Sequence, residues 1–186
     1  QRGFEDFYGI LGGAANYHQP LTLTRNNVGI ASEGDDYYLT DAISDEAVRQ
    51  IQAHGAGPDA SQPFFQYVAY TAPHWPLHAH EADIEKYKGR FDSGWDSLRE
   101  ERLERMIAMG LIHKDWALTE RDGSVALWEE TPDKEWQARR MEVYAAQIDR
   151  MDQGIGRILQ TLKDAGQWEN TLLVFLADNG GCAEEI

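Results

Sequence analysis

The sequence has one cysteine, few basic residues and no long apolar run. Its single cysteine, Cys182, excludes an intrachain disulfide framework and any zinc site built from several cysteines. No apolar run approaches the roughly 20 residues that a membrane span requires. Acidic residues number 32 against 17 basic ones, and the formal charge of −15 repels the phosphates of nucleic acids. We therefore expect no nucleic acid partner and no membrane span in this chain.

What the sequence does contain is enough apolar material for a packed core. Hydrophobic residues make up 42% of the 186 positions, and six Trp, eight Tyr and six Phe supply bulky side chains. The acidic surface would also repel a small anionic substrate, unless a cation or local positive groups offset its field. A metal site would resolve that conflict.

The strongest secondary-structure signal predicts one long helix over residues 134–167. Its apolar residues recur at steps of three and four and form one stripe. Gly154 and Gly156 interrupt the stripe and allow close approach to a neighbour, and Gly166 is expected to end the helix. The stripe consists of Tyr144, Ile148, Met151, Ile155, Ile158 and Leu162.

Two short apolar runs, residues 64–70 and 171–177, have the composition of buried strands. A strand, a long helix and a second strand form the βαβ arrangement of a mostly parallel sheet, so the predicted fold class is α/β. The residues near the start, 1–13, are expected to form a loop or short helix. Other predicted elements are short strands within 20–38, a helix capped at Thr40 or Asp41 that runs to Ile51, helices over 81–87 and 98–112, and an irregular segment over 119–133.

Asp178 and Asn179 directly follow the second predicted strand. Ligands gather beyond the carboxyl ends of strands in open α/β sheets. A carboxylate and an amide oxygen are hard donors that suit calcium or magnesium, and the glycines at 180 and 181 leave room above them. The alternative is a simple capping or turn pair, because Asp-Asn-Gly favours turns in any context.

His74 follows the first predicted strand and is held between Pro73 and Pro76. A histidine presented in this way can donate to an anionic oxygen or protonate a leaving group near neutral pH. The alternative is an ordinary packing or surface histidine in an aromatic loop.

Other residues with possible chemistry carry weaker signals. His74, His78 and His80 together suggest a zinc site, but a loop that contains proline does not match the helical H-E-x-x-H arrangement. Cys182 has no cysteine-hydrolase context and is interpreted as structural. Asp149 and Asp152 are interpreted as surface residues of the long helix, with support of nearby site residues as the alternative.

Six segments, in this order along the chain, resemble the type I sulfatase family, and most closely its bacterial arylsulfatases. Together they cover most of the sequence, with residues 92–134 contributing little. The segments are GFEDFYG, PLTLTRNN, YYLTDAISDEAV, PFFQYVAYTAPHWPLHA, MEVYAAQIDRMDQGIGRIL and LLVFLADNGG.

The resemblance implies a fold related to alkaline phosphatase, with a mixed sheet between helices. It implies hydrolysis of small-molecule sulfate esters by a formylglycine, made from a cysteine or serine, beside a bound Ca²⁺ that polarises the sulfate. Asp178 and Asn179 match the family's second pair of metal ligands. His74 matches a histidine that contacts sulfate and assists departure of the alcohol.

Several family elements have no counterpart in this sequence. These are the first aspartate pair, the C-x-P-S-R or S-x-P-S-R modification motif, a lysine-histidine element and a later sulfate-binding lysine. We therefore expect residues 1–186 to be the central part of a sulfatase catalytic domain, incomplete at both ends and inactive alone. A phosphodiesterase or phosphonate hydrolase of the same superfamily and a non-catalytic truncated homologue remain alternatives. The natural ester, the oligomeric state and the compartment are left open.

Overall fold

The computed structural model describes residues 3–181. The chain divides into two compact units, one made of Gln1–Ala79 with Gln147–Ile186 and the other of His80–Ala146. Among the described residues, no helix is both long and apolar enough to cross a membrane.

The first unit contains a small antiparallel sheet. Its strands are β1 (Tyr8–Ile10), β2 (Leu23–Arg25) and β3 (Val28–Gly29), in the order β1-β2-β3. Arg25 lies opposite Val28, so Asn26 and Asn27 form the turn between β2 and β3. Asn26 has a φ of 54°, a left-handed conformation that asparagine tolerates.

The hairpin confirms the short strands predicted within residues 20–38. The expectation of a loop or short helix near the start was wrong for β1, because its pairing with β2 is a long-range interaction that local composition does not show. Tyr37 and Tyr38 also differ from the prediction, since they precede a helix rather than form a strand.

The core of the first unit lies against helix α1 (Leu39–Ala56) and the later part of helix α4 (Lys134–Asp164). Both helices were predicted, and each begins or ends within a few residues of the expected position. One core cluster consists of Tyr17, Leu23, Tyr38, Leu39, Ile43 and Ala72. A second consists of Ala47, Ile51, Ile158 and Leu162, so the last part of the predicted stripe is confirmed. Ile148 of the stripe is exposed instead.

Helices α1 and α4 approach each other closely at Gly154. A Cβ atom at this position would lie 2.1 Å from Ser44 Oγ, so only glycine fits. Two ion pairs also join the helices: Arg150 donates to both carboxylate oxygens of Asp41, at 2.6 and 2.7 Å, and Arg157 pairs with Asp45. The predicted close approach is therefore confirmed at Gly154, but it was wrong for Gly156, where a Cβ atom would meet nothing within 4 Å.

Helix α4 ends with a backbone pattern that requires Gly166. This glycine has a φ of 67°, and its N–H donates to the Lys163 carbonyl at 3.0 Å. The Gln167 N–H donates to the Leu162 carbonyl at 2.9 Å, which completes a Schellman motif. The stop signal predicted at Gly166 is confirmed.

The prediction of buried strands over 64–70 and 171–177 is not confirmed. Neither segment pairs with another strand within residues 3–181. In the second segment, the side chains from Leu172 to Leu176 are 48% to 89% exposed. A strand is defined by hydrogen bonds to a neighbour, and burial on both faces also needs covering helices. The described residues supply neither, so the predicted mixed sheet is not evident here.

The first segment nevertheless alternates like a strand. The side chains of Gln66, Val68 and Tyr70 are half-buried towards the interior of the first unit, whereas those of Phe65 and Tyr67 are exposed. Gln66 Nε2 donates to the Ala47 carbonyl at 3.2 Å, and the Tyr70 and Ser44 hydroxyls lie 2.8 Å apart. One face of the segment is thus covered by α1.

The second unit is helical. It contains α2 (Glu81–Ile84), α3 (Gly94–Ala108) and the first part of α4, with short 3-10 turns at Glu85–Tyr87 and Trp128–Glu130. The Trp95 and Trp128 rings meet edge to face at 4.8 Å, and the Trp128 N–H donates to Asp96 at 2.9 Å. The helix predicted over 98–112 begins and ends four residues earlier.

Candidate active site

His74 lies half-buried in the loop that follows residues 64–70. Its backbone N–H donates to the Thr71 carbonyl at 2.9 Å. Its ring Nδ1 lies 2.7 Å from the Trp75 carbonyl oxygen. Because a carbonyl only accepts, Nδ1 carries the proton, and the lone pair of the neutral imidazole is on Nε2. The protonated ring can therefore donate from Nε2.

Two buried side chains hold the carbonyl of His74. The Tyr17 hydroxyl donates to it at 2.8 Å, and Gln147 Nε2 approaches it at 3.5 Å. Tyr17 is 1% exposed and Gln147 is 0% exposed. Residues far apart in the sequence thus fix the backbone on which the candidate histidine stands.

A second tyrosine holds the same loop four residues further on. The Tyr38 hydroxyl donates to the His78 carbonyl at 2.7 Å. The Tyr17 and Tyr38 rings are stacked, with centroids 5.6 Å apart. Burial raises the pKa of Tyr17 above its ordinary value, against smaller lowering contributions from Thr71 and Gln147. The phenol is therefore a neutral donor at physiological pH.

His78 lies against His18, with ring centroids 5.6 Å apart. Burial lowers the pKa of His78, and the neighbouring His18 lowers it further. Within residues 3–181, no three His, Cys, Asp or Glu side chains are placed to share a metal ion. His74, His78 and His80 therefore do not form the zinc site considered from the sequence.

Asp178 and Asn179 lie in an exposed bend at the end of the second apolar segment. Asn179 Nδ2 donates to the Gly180 carbonyl at 2.6 Å, which leaves Oδ1 as the atom able to bind a cation. The Asp178 carboxylate is exposed beside it. Two oxygen donors suit calcium chemically, but they supply only part of the about six to eight ligands that calcium takes.

The structure places all three predicted site residues in the first compact unit. Across the described part of the chain, no hydrogen bond or ion pair joins His74 to Asp178 or Asn179. Cys182 lies outside the described residues. Asp152 is exposed, and Asp149 is half-buried and accepts from Gln153 Nε2 at 3.1 Å.

The roles of Tyr17 and Gln147 at the His74 carbonyl are not predicted from the sequence. Tyr17 gives no local signal, because its contact with His74 spans 57 positions. Gln147 does give one: it lies three residues after Tyr144 and four before Met151, on the core-facing side of α4. A glutamine among core positions indicates a buried polar contact.

Comparison with known proteins identifies the family. The sulfatase family model matches residues 1–185, so this chain belongs to the sulfatase family. It is 33% identical over 198 residues to an uncharacterised sulfatase of Schizosaccharomyces pombe, across 97% of this chain and 35% of that protein. It is 35% identical over 191 residues to an arylsulfatase of Klebsiella aerogenes, across 96% of this chain and 40% of that protein.

A solved structure supports the same fold. The chain resembles the crystal structure of Ps i-CgsB in complex with k-i-k-neocarrahexaose, with a TM-score of 0.62 and 26% identity. The match covers 97% of this chain and 33% of that one. The sulfatase resemblance seen in the sequence is thereby confirmed. The chain spans about 33% to 40% of the length of these relatives.

Proposed function

We propose that the protein to which this chain contributes hydrolyses sulfate esters, with aryl sulfates as a substrate class. Membership of the sulfatase family and the similarity to an arylsulfatase of Klebsiella aerogenes support this proposal. The structural observation that carries it is the hydrogen bond from His74 Nδ1 to the Trp75 carbonyl.

His74 acts on the leaving group in this proposal. With Nδ1 committed to a carbonyl, the protonated ring donates from Nε2 to the ester oxygen as the sulfur–oxygen bond breaks. A neutral ring would instead accept a proton at the same atom. Nε2 therefore donates or accepts the proton, and the hydrogen bond of Nδ1 holds the ring in place.

Asp178 and Asn179 supply oxygen donors for Ca²⁺ in the same proposal. A bound divalent cation would neutralise charge on the sulfate group and offset the formal charge of −15 that this chain carries. The Asp178 carboxylate and Asn179 Oδ1 would be two of its ligands. Formylglycine, which the family resemblance implies as nucleophile, would come from outside this chain.

A leaving-group series tests the role of His74. The whole protein is assayed with aryl sulfates whose phenols differ in pKa, as wild type and as His74→Gln. We expect the variant to lose about 100-fold or more in kcat/KM, as is usual for an acid catalyst, and to lose most with the least acidic phenols. The least acidic phenols are the poorest leaving groups as anions, so their departure depends most on protonation.

The matched control is His54→Gln, because His54 is a histidine of the same unit whose ring contacts a loop carbonyl, at 3.0 Å from Nε2 to Gln62 O, and the ring of Phe64. It should behave like wild type. Equal activity of His74→Gln and wild type would contradict the assignment. Faster hydrolysis of 4-nitrophenyl phosphate or of an aryl phosphonate than of the sulfate would favour the alternative phosphoester or phosphonate activity.

A further inference from the structure

Tyr17 contacts the backbone of His74 and not the imidazole ring. The hydroxyl donates to the His74 carbonyl at 2.8 Å, and both the ring and the hydroxyl are inside the first unit. Gln147 is the other side chain at the same carbonyl. The His74 N–H is held by Thr71, so the backbone of this one residue is fixed on both sides.

The carbonyl and the ring of His74 are coupled through the backbone that joins His74 to Trp75. The direction of the His74 carbonyl is tied to the ψ angle of His74, which together with the φ and ψ angles of Trp75 determines where the Trp75 carbonyl lies. That Trp75 carbonyl is the acceptor for Nδ1, at 2.7 Å. A group that fixes the His74 carbonyl therefore restrains the backbone that supports the Nδ1 hydrogen bond, and this hydrogen bond decides which ring nitrogen carries the proton.

We propose that Tyr17 is a positioning residue for His74: its hydroxyl holds the His74 carbonyl and so keeps the imidazole in the tautomer protonated at Nδ1. The inference rests on the proposed function of His74 for its catalytic consequence. The positioning itself is a property of the loop and is measurable without any substrate.

Tyr38 provides a matched control. It is buried like Tyr17, stacks on it, and donates its hydroxyl to a carbonyl of the same loop at nearly the same distance, 2.7 Å. Its acceptor belongs to His78, four residues from His74. Tyr17→Phe and Tyr38→Phe thus each remove a buried hydroxyl that donates to this loop, but only the first removes it from His74.

The test is ¹⁵N NMR of histidine-labelled whole protein, with the His74 signals assigned by comparison with His74→Asn. We expect Nδ1 of His74 to be protonated in the neutral ring of wild type and of Tyr38→Phe. In Tyr17→Phe, the His74 signals should shift towards a mixture of the two tautomers. Both variants should melt at similar temperatures, because each loses one buried hydrogen bond.

Kinetics with an aryl sulfate give the second readout. Tyr17→Phe should lower kcat by about 10- to 100-fold, the cost of misplacing a catalytic group, with little change in KM. Tyr38→Phe should keep most of the wild-type kcat. If wild type shows no sulfatase activity, the proposed function fails, while the NMR result still decides the positioning.

An unchanged His74 tautomer in Tyr17→Phe, or the same shift in Tyr38→Phe, would overturn the inference. If Tyr17→Phe does not fold, Gln147→Met tests the same carbonyl, and a His74 shift in the same direction is expected. Wild-type signals for His74 in that variant would then be the contradicting result.

Discussion

Glu46 is a buried carboxylate between two arginines. It is 8% exposed, and it accepts from Arg25 at 2.7 Å and from Arg49 Nε at 3.1 Å. Burial alone would raise the pKa of Glu46, but the hydrogen bonds from Arg49 and Arg25 hold it below its usual range. The ionised form is therefore part of the folded structure and joins α1 to β2.

Replacing Glu46 with glutamine should destabilise the protein at pH 7. Two guanidinium groups lose their partner, and because both arginines are partly exposed, we expect a loss of about 1–3 kcal/mol in the free energy of unfolding. Urea unfolding measures it. The exposed pair of Glu85 with Lys88 at 3.4 Å is the control, and Glu85→Gln should change little. Equal effects of the two substitutions would contradict this account of Glu46.

His78 also makes the stability depend on pH, because the folded chain favours its neutral form. Its folded pKa lies below that of an unfolded histidine, which is about 6.5. In the pH range between the two values the unfolded chain binds more protons. The free energy of unfolding is therefore at its full value above about pH 6.5 and decreases as the pH falls through that range.

The substitution His78→Gln should remove this part of the pH dependence. We expect the urea midpoint of wild type to fall more between pH 7 and pH 5 than the midpoint of the variant does. The difference comes from protonating a ring that is half-buried beside His18. A wild-type decrease no larger than that of the variant would contradict the contribution of His78.

At the scale of elements, the packing of α1 on α4 depends on Gly154. The substitution Gly154→Ala places a methyl group 2.1 Å from Ser44 Oγ and 3.0 Å from Ser44 Cβ, so the helices must shift apart. Overpacking of this kind costs about 1–3 kcal/mol. Thermal unfolding or urea unfolding measures the loss.

Gly156 supplies the control in the same helix. A Cβ atom there meets nothing within 4 Å, so Gly156→Ala should stabilise the protein by about 0.5–1 kcal/mol through helix propensity. Opposite signs for two alanine substitutions two residues apart are the expected outcome. A neutral or stabilising Gly154→Ala would show that α1 and α4 are not packed as described.

The helices and strands also show which features can be predicted from local sequence and which cannot. The end of α4 at Gly166 follows from local chemistry, and the structure confirms it. Residues 64–70 alternate as a strand should, yet they pair with no strand in the described part of the chain. Strand pairing depends on residues elsewhere in the chain, whereas the backbone hydrogen bonds of a helix form within the segment itself.

The candidate site divides in the same way. His74, Asp178 and Asn179 were identified from residue type and position after an apolar run, and their roles remain predictions. Tyr17 and its contact with His74 were not identified, because a contact across 57 positions depends on the folded core. Local sequence therefore indicates the side chains that carry chemistry. It is less informative about the side chains that position them, because those contacts form only in the folded chain.

At the scale of the whole molecule, residues 171–177 leave a row of large apolar side chains exposed. Exposed apolar surface of this kind favours association. We expect the 186-residue chain alone to self-associate, as measured by sedimentation velocity. Replacing Leu172 and Phe175 with lysine should reduce this association without lowering the melting temperature.

The control is Leu111→Lys, because Leu111 is a similarly exposed apolar residue, at 63%, outside that segment. It should leave the association unchanged. A monomeric wild-type chain, or equal effects of the control and the segment substitutions, would show that the segment does not drive association.

The most direct test of the central claim is the rate of sulfate release from 4-nitrophenyl sulfate by the whole protein, measured against free Ca²⁺ concentration. We expect wild type to need calcium and Asp178→Ala to need a much higher concentration for half of its maximal rate. Asp164→Ala, which removes an exposed aspartate near the end of α4, should match wild type. Sulfate release that does not depend on calcium, or no difference between Asp178→Ala and wild type, would contradict the metal role of Asp178. No release at all would contradict the proposed hydrolysis of aryl sulfates.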